Sequence, residues 1–269
     1  MFDMTKGVSG VSIKLKSFKE SVEPLLDVIK LSSEIKKFDK IVLKPYLIED
    51  ASKSTPIEFV EAVLRYCLVH KNPVADIFIA EGCDGADTKE IFNVQGYKKL
   101  AERYKLGLVD LNEADSSETN STEFLKFEKI MYPNVLKDSF VISMPKLNED
   151  FELGMVGSLS NMLGAFPLRY YKGLFSNVKK KLRKYPIKYA INDINQCKMP
   201  NLALIDASIK GALVAGQPLD ADKKAAVLLF KDWKSVQYIR LMDEAAKLAK
   251  KDNFVIPGEK TEVEGEVKQ

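Results

Sequence analysis

Lysines and carboxylates stand where predicted strands end, and these side chains are the ones best suited to chemistry. Lys44, Glu81, Lys146 and Asp206 each close or follow a short apolar run typical of a buried β-strand. Two lysines facing carboxylates can bind an anion together with a hard cation such as Mg²⁺. A partly desolvated lysine can instead act as a base or a nucleophile. The sequence therefore predicts a ligand site, provided that the strand ends meet.

Parallel strands would bring these distant residues together, because ligands of open α/β sheets bind outside the carboxyl ends of the strands. Asn161 joins them from the small-residue segment after Lys146. The predicted ligand-binding set is Lys44, Glu81, Lys146, Asn161 and Asp206, with no catalytic residue and no metal ligand assigned. The competing interpretation is structural, since strands end at the surface and acidic residues there often cap the next helix.

Hydrophobic periodicity in the first half of the chain predicts alternating strands and helices. Thr55, Pro56 and Glu58 resemble a capping-box helix start. The order of elements is typical of parallel βαβ units. Strands are predicted at residues 11–15, 40–44, 76–81 and 106–111, and helices at 17–35, 55–68 and 87–104.

The second half of the chain is less regular. Strands are predicted at 124–130, 140–144, 202–206 and 225–230, a turn at 211–216, and helices at 169–196, in two pieces, and 233–250. The predicted fold class is α/β, a mostly parallel central sheet with helices on both faces and an inserted basic helical subregion at about 150–200. Residues 1–256 are predicted to form a single domain, and residues 257–269 a mobile charged tail.

Two glycine-rich segments, residues 82–85 and 154–164, follow predicted strands. Their backbone amides could cradle an anion. Neither has the spacing of a phosphate-binding loop or of a dinucleotide fingerprint. Cys83 in the first segment could be a nucleophile, but no histidine is near it in the sequence to activate it.

Cysteine and histidine usage argues against several kinds of site. The three cysteines are far apart and form no CxxC motif, so no iron–sulfur cluster or structural zinc site is expected. Reduced thiols are typical of a cytoplasmic protein. The one histidine, His70, is predicted near the C-terminal end of a helix, where it faces the helix dipole. No apolar run approaches the length of a membrane span, and no signal peptide is predicted.

Basic residues are concentrated in residues 172–188, although the net charge of the chain is only +3. A solvated helix face explains such a segment, and so does a surface for a protein or nucleic-acid partner. Tyr170, Tyr171, Tyr185 and Tyr189 lie among the lysines and could stack on bases. Tyrosines turned toward the core explain the same pattern.

Taken in order, the motifs resemble domain of unknown function family 362, found in archaea and bacteria, over about residues 38–248. The matching motifs are IVLKP (41–45), EG (81–82) with Thr88, Phe92 and Gly96-Tyr97, VDLN (109–112), DSFVISMPK (138–146), NMLG (161–164) and LALIDA (202–207). The resemblance implies a shared scaffold. Family members often carry or neighbour ferredoxin-type cluster domains, and their general activity is not established.

This chain departs from the family pattern at polar positions. Leu147 and Asn148 stand where threonine and histidine are usual, and Tyr46 replaces an asparagine. Ser160 replaces a lysine, and Gln237 stands at an expected aspartate. The glycine-rich stretch after Asp206 is only partly kept, and no cluster cysteines are present. The chain is therefore predicted to be a divergent member, and the departures argue against shared catalysis.

Two functions follow from these observations. The first is an enzyme or binder of an anionic small molecule at the strand ends, with Mg²⁺ as a candidate cofactor. The second is a non-catalytic protein that acts through a protein or nucleic-acid partner on its basic face, residues 172–188. No membrane association is expected.

Overall fold

The protein, analysed as a computed structural model, is described over residues 10–252, so the predicted tail at 257–269 lies outside the described residues. Its central sheet has seven strands in the order β1, β11, β10, β7, β2, β3, β4. Strands β5 and β6 form one hairpin, and β8 and β9 another. The strands are β1 (Val11–Lys14), β2 (Lys40–Pro45), β3 (Asp76–Glu81), β4 (Gly107–Asp110), β5 (Ser116–Thr119), β6 (Ile130–Pro133), β7 (Phe140–Met144), β8 (Asn148–Asp150), β9 (Gly154–Val156), β10 (Leu202–Ala207) and β11 (Ala212–Gly216).

The sheet is mostly parallel. Strands β10, β7, β2, β3 and β4 run in one direction, and β11 is antiparallel to both of its neighbours, β10 and β1. The carboxyl ends of the five parallel strands therefore lie along one edge, which we call the carboxyl edge. The α/β prediction with a mostly parallel sheet is confirmed.

Helices cover both faces of this sheet. On the α3 face, Leu43, Ile79 and Ile142 pack against α1 to α5. On the α9 face, Val141 and Ala203 pack against α9, α10 and α11. The helices are α1 (Phe18–Val28), α2 (Leu31–Ile35), α3 (Ile57–His70), α4 (Thr88–Val94), α5 (Tyr97–Tyr104), α6 (Asn134–Lys137), α7 (Ser158–Asn161), α8 (Leu168–Tyr171), α9 (Ile187–Cys197), α10 (Pro218–Leu228) and α11 (Gln237–Asp252), with 3₁₀ helices at Met162–Ala165, Lys180–Arg183, Ser208–Lys210 and Trp233–Ser235.

The capping box predicted for α3 is wrong. Pro56 is the N-cap residue, and no side chain caps the helix. The Thr55 hydroxyl instead donates to the Met144 carbonyl at 2.6 Å and accepts from the Tyr46 amide at 2.9 Å. Thr55 thus ties the β2–α3 loop to the end of β7.

Three predictions for the second half are also wrong. Residues 124–129 form a loop, and only residue 130 belongs to a strand, β6. The Asp193 carboxylate accepts hydrogen bonds from the amides of Leu125, Lys126 and Phe127, which in a strand would bond to a neighbouring strand. Residues 225–228 belong to α10, whose small residues contact the sheet at helical spacing. The predicted turn at 211–216 is mostly strand β11, which is buried along its length.

The predicted helix at 169–196 is right only in its second piece, α9. The first piece contains the short helix α8, a loop and one 3₁₀ turn. Within residues 10–252, no helix is long and apolar enough to cross a bilayer.

Candidate functional site

Lys44, near the end of β2, is fully buried and pairs with Glu81 at the end of β3. Its ammonium lies 2.9 Å from Glu81 Oε2. It also donates to the main-chain oxygen of Asn161 at 2.7 Å and to Asn161 Oδ1 at 3.0 Å. An ammonium carries three hydrogens, so each has an acceptor here. We call Lys44, Glu81 and Asn161 the buried cluster.

The other polar atoms of the buried cluster are bonded as well. Glu81 Oε1 accepts from the Gly82 amide at 2.7 Å. Asn161 Nδ2 donates to the Lys44 carbonyl and to the Ser143 hydroxyl, both at 3.0 Å. Because an unpaired buried polar group costs about 1–3 kcal/mol, these bonds are what allows the charges to lie inside the protein.

The backbone at Gly164 packs directly against the buried cluster. A Cβ at this position would lie 2.1 Å from Glu81 Oε1 and 2.8 Å from Lys44 Nζ. Only glycine allows the backbone of the Met162–Ala165 turn to approach the ion pair this closely. The turn therefore covers the pair and leaves no room for a ligand between them.

Lys179 is a second fully buried lysine beside this cluster. Its ammonium donates to the carbonyl of Gly82 at 2.8 Å and to that of Gly164 at 3.2 Å. Burial lowers the pKa of Lys179 to about 8, and the negative charge of Glu81 opposes this shift. Lys179 was predicted to be part of a solvated basic face, and its burial corrects that prediction.

Lys146 and Asp206 form a separate group at the same edge, which we call the edge pair. Their backbones are joined as a parallel bridge between β7 and β10. Lys146 is partly exposed and donates to the Ser52 carbonyl at 2.6 Å. Asp206 Oδ1 accepts from the Ser208 amide at 2.8 Å, whereas Asp206 Oδ2 is buried without a hydrogen-bond partner. Burial raises the pKa of Asp206, and its bonds to Ser208 and the charge of Lys146 oppose the rise.

Lys44 and Asp206 point to opposite faces of the sheet. Successive side chains of a strand point to opposite faces. Lys44 follows Leu43 of the α3 face and so points to the α9 face, while Asp206 shares the α3 face with Leu204. The structure therefore brings Lys44, Glu81 and Asn161 together, and Lys146 with Asp206, but not all five around one cavity.

A family comparison supports a shared scaffold for both groups. The family model for the domain of unknown function DUF362 matches residues 41–225, most of the chain. The chain belongs to this family. All five predicted site residues lie inside the DUF362 match, whereas α1 and α11 lie outside it. A search of curated proteins finds no match.

The glycine-rich segment of the DUF362 domain at 154–164 already holds an internal anion. The Asp222 carboxylate, from α10, accepts from the amides of Ser158 at 2.6 Å and Leu159 at 3.0 Å at the start of α7. Burial raises the pKa of Asp222 to about 7, and the two amide bonds oppose the rise. The amides predicted to cradle a ligand are therefore occupied by a side chain of the protein itself.

Cys83 is a poor nucleophile in this setting. The residue is buried, and burial, followed by the charge of Glu81, raises the pKa of its thiol to about 12. Its amide and carbonyl are held by Thr88 and Asn112, so the 82–85 loop serves to shape the edge. The three cysteines are free thiols.

Cation sites of the usual kind are not formed by the described residues. Between residues 10 and 252 there is no group of three or more His, Cys, Asp or Glu side chains that could hold a metal ion. In the buried cluster, the Lys44 ammonium occupies the space between Glu81 and Asn161.

A groove of about 810 Å³ runs between α1 and α3 on the same face as the edge pair. Its walls are mostly apolar and include Phe18, Val22 and Tyr66. Pro56 and Ser208 line its end at the carboxyl edge, and Ser208 is bonded to Asp206. The groove is thus linked to the edge pair through Ser208, although neither Lys146 nor Asp206 lines it.

Sequence reasoning missed Lys179 and Asp222 as buried polar residues. Lys179 opens a run of three lysines, and Asp222 lies between the predicted turn at 211–216 and the predicted strand at 225–230, where no element was assigned. No local pattern separates either residue from its exposed neighbours, because only tertiary packing buries them.

Proposed function

We propose that this DUF362 protein binds an anionic small molecule at the carboxyl edge, on the α3 face, with Lys146 as its charged contact and the buried Asp206 positioning the neighbouring backbone. One observation carries the proposal: the edge pair contains hydrogen-bonding atoms without partners, whereas every polar side-chain atom of the buried cluster has one. Within the described residues, Lys146 has one acceptor for three ammonium hydrogens, and Asp206 Oδ2 has no partner.

Lys44, Glu81 and Asn161 take a supporting role in this proposal. They join the ends of β2 and β3 to α7 through one buried network. A rigid frame of this kind holds binding groups in place on neighbouring strands. The ligand would not contact Lys44, Glu81 or Asn161. It would contact strand ends whose positions this network fixes.

The ligand is expected to combine an anionic group with an apolar body. Lys146 would pair with the anion. Asp206 is fully buried and holds Ser208 at the end of the groove by accepting from its amide. The apolar walls of the α1–α3 groove suit the rest of the molecule, and a groove of this size lies in the range of small-molecule sites.

A thermal-shift screen of phosphorylated metabolites, carboxylates and nucleotides tests this proposal. A ligand at 100 times its Kd should raise the melting temperature by about 5 °C or more. Lys146→Met and Asp206→Asn should each abolish the shift, and Lys98→Met, at an exposed lysine of α5, should keep it. A shift that survives both edge-pair substitutions would contradict the proposal.

The second proposed function is partner binding through the basic segment at 172–188. Of its seven basic residues, Lys172, Lys180, Lys181, Arg183 and Lys184 are exposed. This supports a protein or nucleic-acid partner and gives the predicted basic subregion a role that does not require a helix. Lys180→Glu with Lys181→Glu should weaken partner binding while leaving the small-molecule shift unchanged.

The free thiols support a cytoplasmic location. Cys67, Cys83 and Cys197 are unpaired, as expected in a reducing compartment. Fractionation of cells that produce the protein would test this location, and recovery from an oxidising compartment would oppose it.

A further inference from the structure

Three large apolar side chains project from the loops that cover the carboxyl edge. Phe151 at the tip of the β8–β9 hairpin has a relative exposure of 107%, Phe175 of 98% and Leu174 of 85%. We call these three residues the apolar rim. Single exposed apolar residues are common, but a group of large ones is typical of an interaction site.

The loops that carry the apolar rim are tied to each other. The Asn177 carbonyl accepts from the Gly85 amide at 3.1 Å. The Arg183 guanidinium bridges Asp84 at 2.7 Å and Glu152 at 3.0 Å. The hairpin with Phe151 and the loop with Leu174 and Phe175 are thus both fastened to the 82–85 loop.

The loop at 173–180 is also anchored from below. Lys179 is fully buried, and its amide donates to Asp84 Oδ1 at 2.7 Å. Phe175 has a φ of +55°, a left-handed conformation that is costly for a bulky residue. Such strain persists where surrounding structure imposes it, often at ligand-binding positions. The anchored backbone therefore presents Phe175 to solvent.

The charge around Leu174 and Phe175 has one sign. Residues 169–188 contain eight lysines and arginines and no acidic residue. Lys172, Lys180 and Lys181 are exposed beside Leu174 and Phe175. A partner that covers this surface must therefore bring negative charge together with apolar side chains.

Nucleic acid fits this surface less well than protein does. Base stacking needs open aromatic faces. Arg169 lies 4.9 Å from the centre of the Tyr170 ring, and Lys188 lies 5.2 Å from that of Tyr189. These two tyrosine faces already carry cations of the protein, and Leu174 offers no ring for stacking. Phe151 has an open ring, but Glu149, Asp150 and Glu152 around it would repel phosphates, which leaves Phe175 as the one open ring of the apolar rim beside the lysines.

An anionic membrane also fits less well. Phe151 is flanked by Asp150 and Glu152, with Glu149 one residue further away. A bilayer that covered the whole rim would press negative headgroups against these carboxylates, and like charges repel. A protein segment can instead place its acidic residues beside the lysines of residues 172–181 and its apolar side chains beside Phe151.

We propose that the apolar rim and its surrounding lysines dock an acidic protein segment that inserts apolar side chains between Phe151, Leu174 and Phe175. This proposal rests on the second proposed function and names its partner class. Hot spots of protein interfaces are typically apolar anchors encircled by polar contacts, as this surface would provide.

Fluorescence anisotropy with defined probes tests the proposal on the full chain. The probes are a labelled peptide of glutamates interspersed with leucine and phenylalanine, a polyglutamate of equal length, a single-stranded oligonucleotide and anionic phosphatidylglycerol vesicles. The mixed peptide should bind at least tenfold more tightly than polyglutamate. Leu174→Ser with Phe175→Ser should remove that preference, and the matched pair Val69→Ser with Val74→Ser, at exposed valines elsewhere, should keep it.

The outcomes distinguish failure of this inference from failure of the second proposed function. If polyglutamate binds as tightly as the mixed peptide, and Lys180→Glu with Lys181→Glu abolishes binding, the basic face stands and the apolar docking is overturned. Tighter binding of the oligonucleotide or the vesicles overturns the protein partner. If no probe responds to the charge reversal, the second proposed function fails as well.

Discussion

The buried cluster and the edge pair each place a lysine beside a carboxylate-bearing strand end, yet they differ in every other respect. In the buried cluster, Lys44 is fully buried with three acceptors. In the edge pair, Lys146 is partly exposed with one acceptor, and Asp206 has an unpaired oxygen. Lys44 points to the α9 face and Asp206 to the α3 face.

This difference teaches that similar residues at strand ends can have different tasks. A buried ion pair seldom adds net stability over an apolar replacement, but breaking it by removing one partner is costly. A saturated network therefore fixes structure. Binding requires groups whose hydrogen bonds are not yet made, and only the edge pair retains them.

The largest effect is expected from breaking the buried cluster. Lys44→Met leaves the Glu81 carboxylate buried without its cation and should lower the free energy of unfolding by about 3–5 kcal/mol. Urea denaturation measures this loss. Lys44→Met combined with Glu81→Gln removes the stranded charge and should recover part of it, and a double variant no more stable than the single one would oppose this account.

The buried Lys179, beside the buried cluster, should make the stability of the protein depend on pH. Its pKa is about 8 in the folded protein, below the ordinary value of 10.5, because burial disfavours the charged form. Between these pH values the unfolded chain holds a proton that the folded chain has released, so stability rises with pH. The rise approaches about 3 kcal/mol.

Lys179→Met should lack this rise. Urea midpoints of wild type and variant between pH 8 and 10.5 give the difference, in which Lys126 and Lys198 cancel because both proteins retain them. If the stabilities of wild type and variant changed with pH in parallel, the pKa of Lys179 would not be lowered in the folded protein.

Gly164→Ala tests the close approach above the buried cluster. The added methyl group would lie 2.1 Å from Glu81 Oε1, so backbone or side chains must shift. Overpacking of this kind typically costs about 1–3 kcal/mol. A variant with wild-type stability in urea would mean that the turn is not pressed against the ion pair.

The elements that frame this comparison were largely predictable, but their division between faces was not. Apolar runs identified β2, β3, β7 and β10, because strands covered on both sides are continuously apolar. The same property hides the face of each residue, since neither face is marked by polar residues. The sequence thus predicted that Lys44 and Asp206 share an edge, without separating their faces.

Two wrong strand predictions also have identifiable physical causes. The apolar run at 225–230 is short enough to suit a strand or a helix, and only its contacts with the sheet decide for α10. The alternation at 124–130 is that of a strand, but Asp193, nearly 70 residues later, binds the free amides of this loop.

The smallest effect on stability is expected at the edge pair. Lys146→Ala removes one bond to the Ser52 carbonyl at a partly exposed position and should change the free energy of unfolding by less than about 0.5 kcal/mol. Thermal or urea unfolding checks this. A loss above about 2 kcal/mol would place Lys146 in the structural frame with Lys44.

Urea unfolding of Lys44→Met and Lys146→Met, side by side in one buffer, tests most directly whether the two lysines have different tasks. The same chemical change is made at both sites, so differences in packing and bonding decide the result. We predict a loss of about 3–5 kcal/mol at Lys44 and of less than about 0.5 kcal/mol at Lys146. Equal losses at the two positions would contradict the division into a structural cluster and a binding pair.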